Sequence, residues 1–160
     1  SLRYYIKRKG NKKFRISSSV KKQLFKEKKY GLNNYKTYKN FSNSAKKSKE
    51  SLNKILTNIK NDNKKIIGYG ATAKATTVLN YCNIDNNFID FFVDTTPDKK
   101  NRFMPGKKIK ILKYDQNILK NVDYIFLGAW NFKKEIFKKE KKFIKKGGKF
   151  ITHIPFPKII

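Results

Sequence analysis

The sequence is poor in the residues that cross-link chains or bind transition metals. Its 160 residues include one cysteine and one histidine, so an intrachain disulfide cannot form and no cluster of Cys and His ligands can be assembled. A chain without disulfides is typical of a reducing compartment. No apolar run approaches the ~20 residues that a membrane-spanning helix needs, and no secretory signal opens the chain. These absences predict a soluble, cytoplasmic protein that holds no metal.

Acidic residues are also scarce. The chain has 11 Asp and Glu against 40 Lys and Arg, which gives a net charge of +29. Such a charge is typical of proteins that bind nucleic acid or an anionic membrane. Nucleic-acid surfaces favour arginine for bidentate contacts, but here lysine is spread over every segment and arginine occurs only at Arg3, Arg8, Arg15 and Arg102. We therefore expect a solvated basic surface and an anionic nucleotide ligand, with nucleic-acid binding kept as an alternative.

Residues 64–82 carry the most informative pattern. Two isoleucines are typical of a parallel strand buried on both faces, and Gly68 and Gly70 after them allow a sharp turn and the close approach of a ligand. The helix that follows would direct unpaired N–H groups at the turn, which suits a phosphate or a carboxylate. The pattern is G-x-G-A-x-A, so Ala73 replaces the third glycine of the dinucleotide fingerprint. A turn that binds no ligand is the alternative.

Strand and helix signals alternate from residue 64 to residue 154. This predicts an α/β fold, a Rossmann-like open and mainly parallel sheet with helices on both faces. One of its helices is expected to turn Phe132, Ile136, Phe137, Phe143 and Ile144 inward.

An N-terminal strand or hairpin and a helical lead-in are expected ahead of the sheet. Residues 2–6 alternate as a half-buried strand does, and a short return strand is expected over residues 14–16. A helix after Ser17 is expected to turn Val20, Leu24 and Phe25 inward and to end at Gly31. Apolar residues at spacings of three and four predict a long amphipathic helix over residues 34–60. We divide the chain into this lead-in, residues 1–62, and a Rossmann-like nucleotide-sugar-binding domain, residues 63–160.

Ligands of open α/β sheets bind beyond the carboxyl ends of the strands. Asp94 ends the second strand at about the distance from Gly70 at which nucleotide-binding folds place an acid against a ribose hydroxyl, and capping of the following turn is an equal alternative. Trp130 either faces this crevice or packs over the end of the sheet, where Asn131 would cap the next helix. The predicted substrate-binding residues are Gly68, Tyr69, Gly70, Ala71, Lys74, Asp94, Lys100, Arg102, Trp130 and Asn131.

The sequence shows no set of residues that would perform a reaction. Paired carboxylates, a nucleophile with its base and a metal cluster are all missing from the pattern. His153, the single histidine, has no acid near it in sequence to orient it, so we expect no catalytic role for it. The predicted site is therefore one that binds and does not catalyse.

Five motifs in chain order resemble one enzyme family. The similarity covers residues 64–156 well and the residues before them loosely. The chain resembles the C-terminal domain of the S-adenosylmethionine-dependent sugar C-methyltransferases, which methylate keto-deoxysugars linked to nucleoside diphosphates. The motifs are Gly68-Tyr69-Gly70-Ala71-x-Ala73-Lys74 with Leu79-Asn80-Tyr81-Cys82, Val93-Asp94-x-x-Pro97, Arg102-Phe103-Met104-Pro105-Gly106, Ala129-Trp130-Asn131-Phe132 and Gly147-Gly148-Lys149-Phe150-Ile151.

The resemblance implies that this chain is a fragment of a longer enzyme. The family's Glu-His pair, its cysteine-rich metal-binding segment and its methyl-donor fold lie upstream of the matching region. The fragment alone would then be inactive, with a nucleoside-diphosphate sugar and the methyl-donor domain of the same protein as its partners. Ala75-Thr76 and Thr95-Thr96 depart from the family pattern and bear on which sugar or base is preferred. Alternatives are a free-standing nucleotide or dinucleotide-binding module and a basic nucleic-acid-binding domain.

Overall fold

A computed structural model describes residues 2–160. The chain divides into two compact units, Ser1–Asn43 and Ser44–Ile160. Helix α2, Tyr35–Asn61, begins in the first unit and ends in the second. Among the described residues, no helix combines the length and the apolar character that crossing a membrane requires.

The first unit contains no strand within residues 2–17. Its one regular feature before the first helix is a turn in which the Asn11 N–H donates to the Arg8 carbonyl over 3.1 Å. The predicted hairpin is therefore wrong. A strand is stable only beside a hydrogen-bonded neighbour and over an apolar layer, and residues 2–16 are all exposed.

Helix α1, Ser18–Lys29, begins and ends as its sequence predicts. The Ser17 hydroxyl accepts the Ser19 N–H over 3.2 Å, and Gly31 adopts a left-handed φ of +70° just beyond the helix. The expected inward face is wrong, because Val20, Leu24 and Phe25 are all exposed and α1 buries no residue.

The second unit is built on one six-stranded sheet. The strands are β1 Ile66–Tyr69, β2 Phe91–Asp94, β3 Lys110–Lys113, β4 Tyr124–Leu127, β5 Lys149–Thr152 and β6 Lys158–Ile159. They lie in the order β3-β2-β1-β4-β5-β6, and every pair is parallel except β5 with β6. The α/β prediction is confirmed. The chain moves outward from β1 to β3 and then returns to β4 on the other side of β1, so β1 and β4 flank the point where the strand order reverses.

Helices cover both faces of this sheet. On one face α2 and α3, Ala73–Cys82, bury Leu56 and Leu79 against strand residues such as Phe92. The opposite face is covered by α4, Lys133–Lys139, by α5, Lys141–Lys145, and by the 3-10 helix Gln116–Asn121. Short 3-10 helices at Pro97–Lys99 and Trp130–Phe132 follow β2 and β4. Because strand side chains alternate between faces, β1, β2, β4 and β5 each supply both apolar layers.

The C-terminal third differs from its prediction in three details. The single helix expected after Asn131 is two helices separated at Glu140. Ile136 and Phe143 are buried as expected, whereas Phe132 and Ile144 are exposed. Phe132 lies in the 3-10 helix before α4, and Ile144 lies in α5, beyond the break at Glu140. Strand β6 was not predicted, since only two of its residues pair with β5.

Candidate functional site at the carboxyl edge of the sheet

The glycine turn after β1 is bonded to both neighbouring strands. The Gly70 N–H donates to the Val93 carbonyl over 2.8 Å, and the Gly128 N–H donates to the Tyr69 carbonyl over 2.9 Å. Gly70 has a φ of +83°, and a Cβ there would lie 2.5 Å from the Cβ of Ala129. Only glycine satisfies both conditions. The turn is therefore a fixed element at the point where the strand order reverses.

Gly68 has a different role from the one its motif suggests. It lies inside β1, where a Cβ would approach the Phe92 ring to 2.4 Å. The absence of a side chain is required by the packing of two adjacent strands. The structure does not bring Gly68 to the cavity described below.

Thr72 joins helix α3 to the neighbouring strand end. Its Oγ1 accepts the Ala75 N–H over 3.1 Å and donates to the Gly128 carbonyl over 3.1 Å. Within residues 2–160, no acceptor is recorded for the N–H groups of Ala73 and Lys74 at the start of α3. Two unpaired donors and the positive end of the helix dipole thus remain at this edge of the sheet.

Asp94 is held by three donors from within the chain. Its Oδ2 accepts the Ala71 N–H over 2.7 Å and the Lys99 ammonium over 3.0 Å, and its Oδ1 accepts the Thr96 N–H over 2.8 Å. The bond to Thr96 is the turn cap that the sequence left open as an alternative. The side chain is 7% exposed. Its role toward a ribose hydroxyl stays a prediction.

The environment of Asp94 keeps it ionised. Burial on its own raises the pKa of a carboxyl group, but hydrogen bonds from Thr96, Lys99 and Ala71 outweigh that effect and lower the pKa of Asp94 below its usual value. The carboxylate therefore neutralises Lys99 and part of the positive charge at the glycine turn.

A cavity of about 390 Å³ opens beside the turn. It lies between the ends of β1, β2 and β4 and the start of α4. Of the predicted substrate-binding residues, Tyr69, Gly70 and Asp94 line it. The other lining residues were not among the predicted substrate-binding residues, although Thr95 and Thr96 depart from the family pattern. They are Thr72, Thr95, Thr96, Lys99, Ala129, Phe132, Glu135, Ile136 and Lys139.

Tyr69 is fixed in the cavity wall by a buried carboxylate. The Tyr69 and Tyr114 hydroxyls both donate to Oε1 of Glu140, over 3.0 Å and 2.7 Å. Glu140 is fully buried. Burial first, and then the hydrogen bond to Glu140 together with its negative charge, raise the pKa of both phenols, so they stay protonated and act as donors. No sequence signal marked Glu140, which stands within a run of lysines.

The remaining predicted residues lie outside the lining of the cavity. Trp130 is half-buried against the apolar layer that includes Ile136, and the Lys74 ammonium lies 5.0 Å from its ring centroid. Neither Trp130–Phe132 nor α4 has a side-chain cap, so the alternative that Asn131 caps the helix is wrong. Lys100 and Arg102 are exposed in the loop after β2. Ala71 is buried and takes part through its N–H bond to Asp94.

His153 lies away from this site, in the core. Its ring stacks on Phe126 with centroids 5.3 Å apart, and burial lowers its pKa to about 4. It is therefore neutral at physiological pH. Within the part of the chain that the structure describes, no group of three or more His, Cys, Asp or Glu could hold a metal ion.

A larger cavity of about 510 Å³ lies between the 3-10 helix Gln116–Asn121 and α5. It contains none of the predicted substrate-binding residues, and four lysines line it: Lys120, Lys142, Lys145 and Lys146. Because ligands of this fold bind where the strand order reverses, the smaller cavity is the candidate site.

The fold and the position of the cavity define a Rossmann-like domain with a candidate site at the carboxyl edge of the sheet. Residues 1–155 match the family model described as the C-methyltransferase C-terminal domain. The chain belongs to this family.

The name of a relative agrees with that assignment. The chain is 32% identical over 145 residues to the C-methyltransferase NovU of Streptomyces niveus. The match covers 91% of this chain and 34% of NovU, so the chain spans about a third of the relative's length.

Proposed function

We propose that this domain binds the nucleoside-diphosphate part of a nucleotide-linked sugar within a C-methyltransferase. The observation that carries the proposal is the cavity of about 390 Å³ at the reversal point of a parallel sheet, beside a fixed glycine turn. Membership of the C-methyltransferase C-terminal family supports the same assignment.

The residues around the turn suit a pyrophosphate. The N–H groups of Ala73 and Lys74 are unpaired within the described chain, and the exposed Lys74 side chain adds a cation at the same helix end. Asp94 would contribute by holding the turn in place through its bond to the Ala71 N–H. Gly70 and Tyr69 would form the wall against which the ligand lies. Lys100 and Arg102, exposed in the neighbouring loop, would provide further positive charge.

The chemistry itself is assigned to the rest of the parent protein. In the parent, S-adenosylmethionine would supply the methyl group from a separate domain, and the catalytic base would also lie outside this chain. The domain's contribution is to hold the substrate, so we expect no methyl transfer by residues 1–160 alone. The parent enzyme would work in the cytoplasm.

Nuclear magnetic resonance titration with dTDP tests the proposal. We expect the amide signals of Gly70, Ala73 and Lys74 to shift, because these groups lie at the turn. Gly147 is the internal control, since it precedes the amino end of β5 and so lies at the opposite edge of the sheet. Lys74→Gln should weaken binding, whereas the matched change Lys146→Gln should not. Shifts confined to α2, with Gly70 silent, would contradict the proposal.

A further inference from the structure

Two carboxylates line the cavity at the carboxyl edge, Asp94 and Glu135. Both oxygens of Asp94 already accept hydrogen bonds, from Ala71, Thr96 and Lys99, and its side chain is 7% exposed. Three donors from within the chain thus occupy most of the acceptor capacity of this carboxylate. Asp94, at the end of β2, therefore serves mainly to stabilise the turn.

Glu135 is in the opposite situation. It is exposed in the first turn of α4, and within residues 2–160 its carboxylate makes no hydrogen bond or ion pair. The cation placed to pair with it is Lys139, one helical turn further on and also lining the cavity. The Lys139 ammonium instead lies 3.6 Å from the centroid of the Tyr114 ring.

The orientation of Lys139 depends on the buried Glu140 described above. The Tyr114 hydroxyl donates a hydrogen bond to Glu140 over 2.7 Å, and the Lys139 ammonium lies over the face of the Tyr114 ring. The helix therefore presents a fixed ammonium and an unpaired carboxylate to the same cavity. Asp94 and Lys99, 3.0 Å apart, neutralise each other in the same wall. Glu135 is the carboxylate of this wall that is left with its acceptor capacity unused.

We propose that Glu135 is the residue of this site that accepts a hydrogen bond from a ring hydroxyl of the bound nucleotide sugar. The proposal rests on the proposed function, since it assigns a contact within that binding site. The donor is either the deoxyribose 3′-hydroxyl or a hydroxyl of the hexose, which share the same chemistry. A carboxylate also repels the diphosphate, so Glu135 favours ligands that bring a hydroxyl and disfavours bare phosphates.

Glu135→Gln separates these two effects. A hydrogen bond to a charged acceptor is worth a factor of roughly ten to one hundred in affinity, and glutamine keeps a weaker neutral acceptor. We expect the dissociation constant for dTDP-glucose to rise roughly tenfold. Binding of inorganic pyrophosphate, which has no ring hydroxyl, should stay the same or become tighter. Glu50→Gln, on the exposed surface of α2, is the charge-matched control and should behave as the wild type for every ligand.

Two further ligands, dTDP and its 2′,3′-dideoxy form, identify the donor. If dTDP weakens in Glu135→Gln as much as dTDP-glucose, and the 2′,3′-dideoxy form of TDP does not, the donor is the 3′-hydroxyl. If only dTDP-glucose weakens, the donor is on the hexose. Equal affinities of the wild type and Glu135→Gln for dTDP-glucose overturn the inference alone. An equal loss of pyrophosphate binding also overturns it, because Glu135 would then act on the shape of the site. A wild-type protein that binds none of these ligands overturns the proposed function and this inference with it.

Discussion

Asp94 is a residue whose sequence position suggests a ligand contact and whose surroundings give it a structural role. Three donors from within the chain surround its carboxylate. Each donor comes from a different segment: the glycine turn, the backbone after β2 and the 3-10 helix Pro97–Lys99. Asp94 therefore connects two loops at the carboxyl edge, both of which line the cavity.

Asp94→Asn should destabilise the second unit by about 1–3 kcal/mol at neutral pH, because an amide cannot accept from all three donors. The folded-state pKa of Asp94 lies below its usual value, so its contribution is fully present at neutral pH and is lost as the pH falls below about 4. The free energy of unfolding in urea, measured from pH 7 to pH 3, checks this.

Asp98→Asn is the control for that measurement, since Asp98 is exposed in the same loop. It should leave the free energy of unfolding nearly unchanged at every pH. A wild-type advantage over Asp94→Asn that persists undiminished at pH 3 would contradict the assigned role.

Individual side chains were the least predictable part of the site. Lys99, Glu135 and Lys139 stand in stretches where charged residues are frequent. The role of each depends on whether its side chain faces the cavity or the solvent, and the sequence pattern does not distinguish the two. Glu140 lies between lysines and is nevertheless fully buried, because two phenols from β1 and the end of β3 meet it there. Such contacts join residues 26 and 71 positions apart, a distance over which sequence periodicity carries no information.

At the scale of elements, helix α3 depends on one side chain at its first turn. Thr72 caps the helix and also bonds to the Gly128 carbonyl, which belongs to the connection after β4. The same hydroxyl thus fixes the helix start relative to the strand at the reversal point.

Thr72→Ala should lower the free energy of unfolding by about 1–2 kcal/mol, since it removes the cap and leaves the Gly128 carbonyl without this donor. Thr77→Ala is the matched control. Thr77 is exposed on the same helix, and its hydroxyl bonds within the helix to the Ala73 carbonyl. Urea unfolding should show little change for Thr77→Ala. Equal losses for the two variants would show that α3 responds to helix content alone and not to its cap.

The strand, turn and helix around Gly70 were predictable because their signals are local: a β-branched pair, a glycine that needs positive φ and a helix that begins just beyond it. The second half of α2 was predictable for the same reason, and it buries Leu52, Leu56 and Ile59 as the spacing indicates. The hairpin was not, because alternation in residues 2–6 indicates a strand only where a neighbouring strand exists. Strand β6 is too short to give a pattern.

At the scale of the whole molecule, the net charge of +29 makes nucleic-acid binding the alternative function to test. A basic protein attracts any polyanion, and the strength of that attraction alone does not distinguish nucleic acid from a small nucleotide. The dependence on salt does, because each DNA phosphate contacted releases counterions.

We expect dTDP binding to decline only slightly with salt, since one diphosphate is bound. Duplex DNA held by many lysines should decline with a slope of about −0.9 per phosphate contacted in a log-log plot, and its binding should be weak at physiological salt. Fluorescence of Trp130, the single tryptophan, can follow dTDP, and labelled DNA can be followed by anisotropy. Tight DNA binding at physiological salt with a steep slope would reverse the preference for a nucleotide.

The sheet ends at β3 on one side, and the loop that carries Arg102 lies along that edge. The Ile111 N–H donates to the Arg102 carbonyl over 2.7 Å, the Asn101 N–H donates to the Ile111 carbonyl over 2.9 Å, and Phe103 forms a bridge with Lys110. An open edge strand is a template on which another chain can add its own strand and start aggregation. Here the loop already occupies those backbone groups, and the lysines at both ends of β3 repel a second copy. The loop that carries Arg102 therefore also protects the protein from self-association through the β3 edge of its sheet.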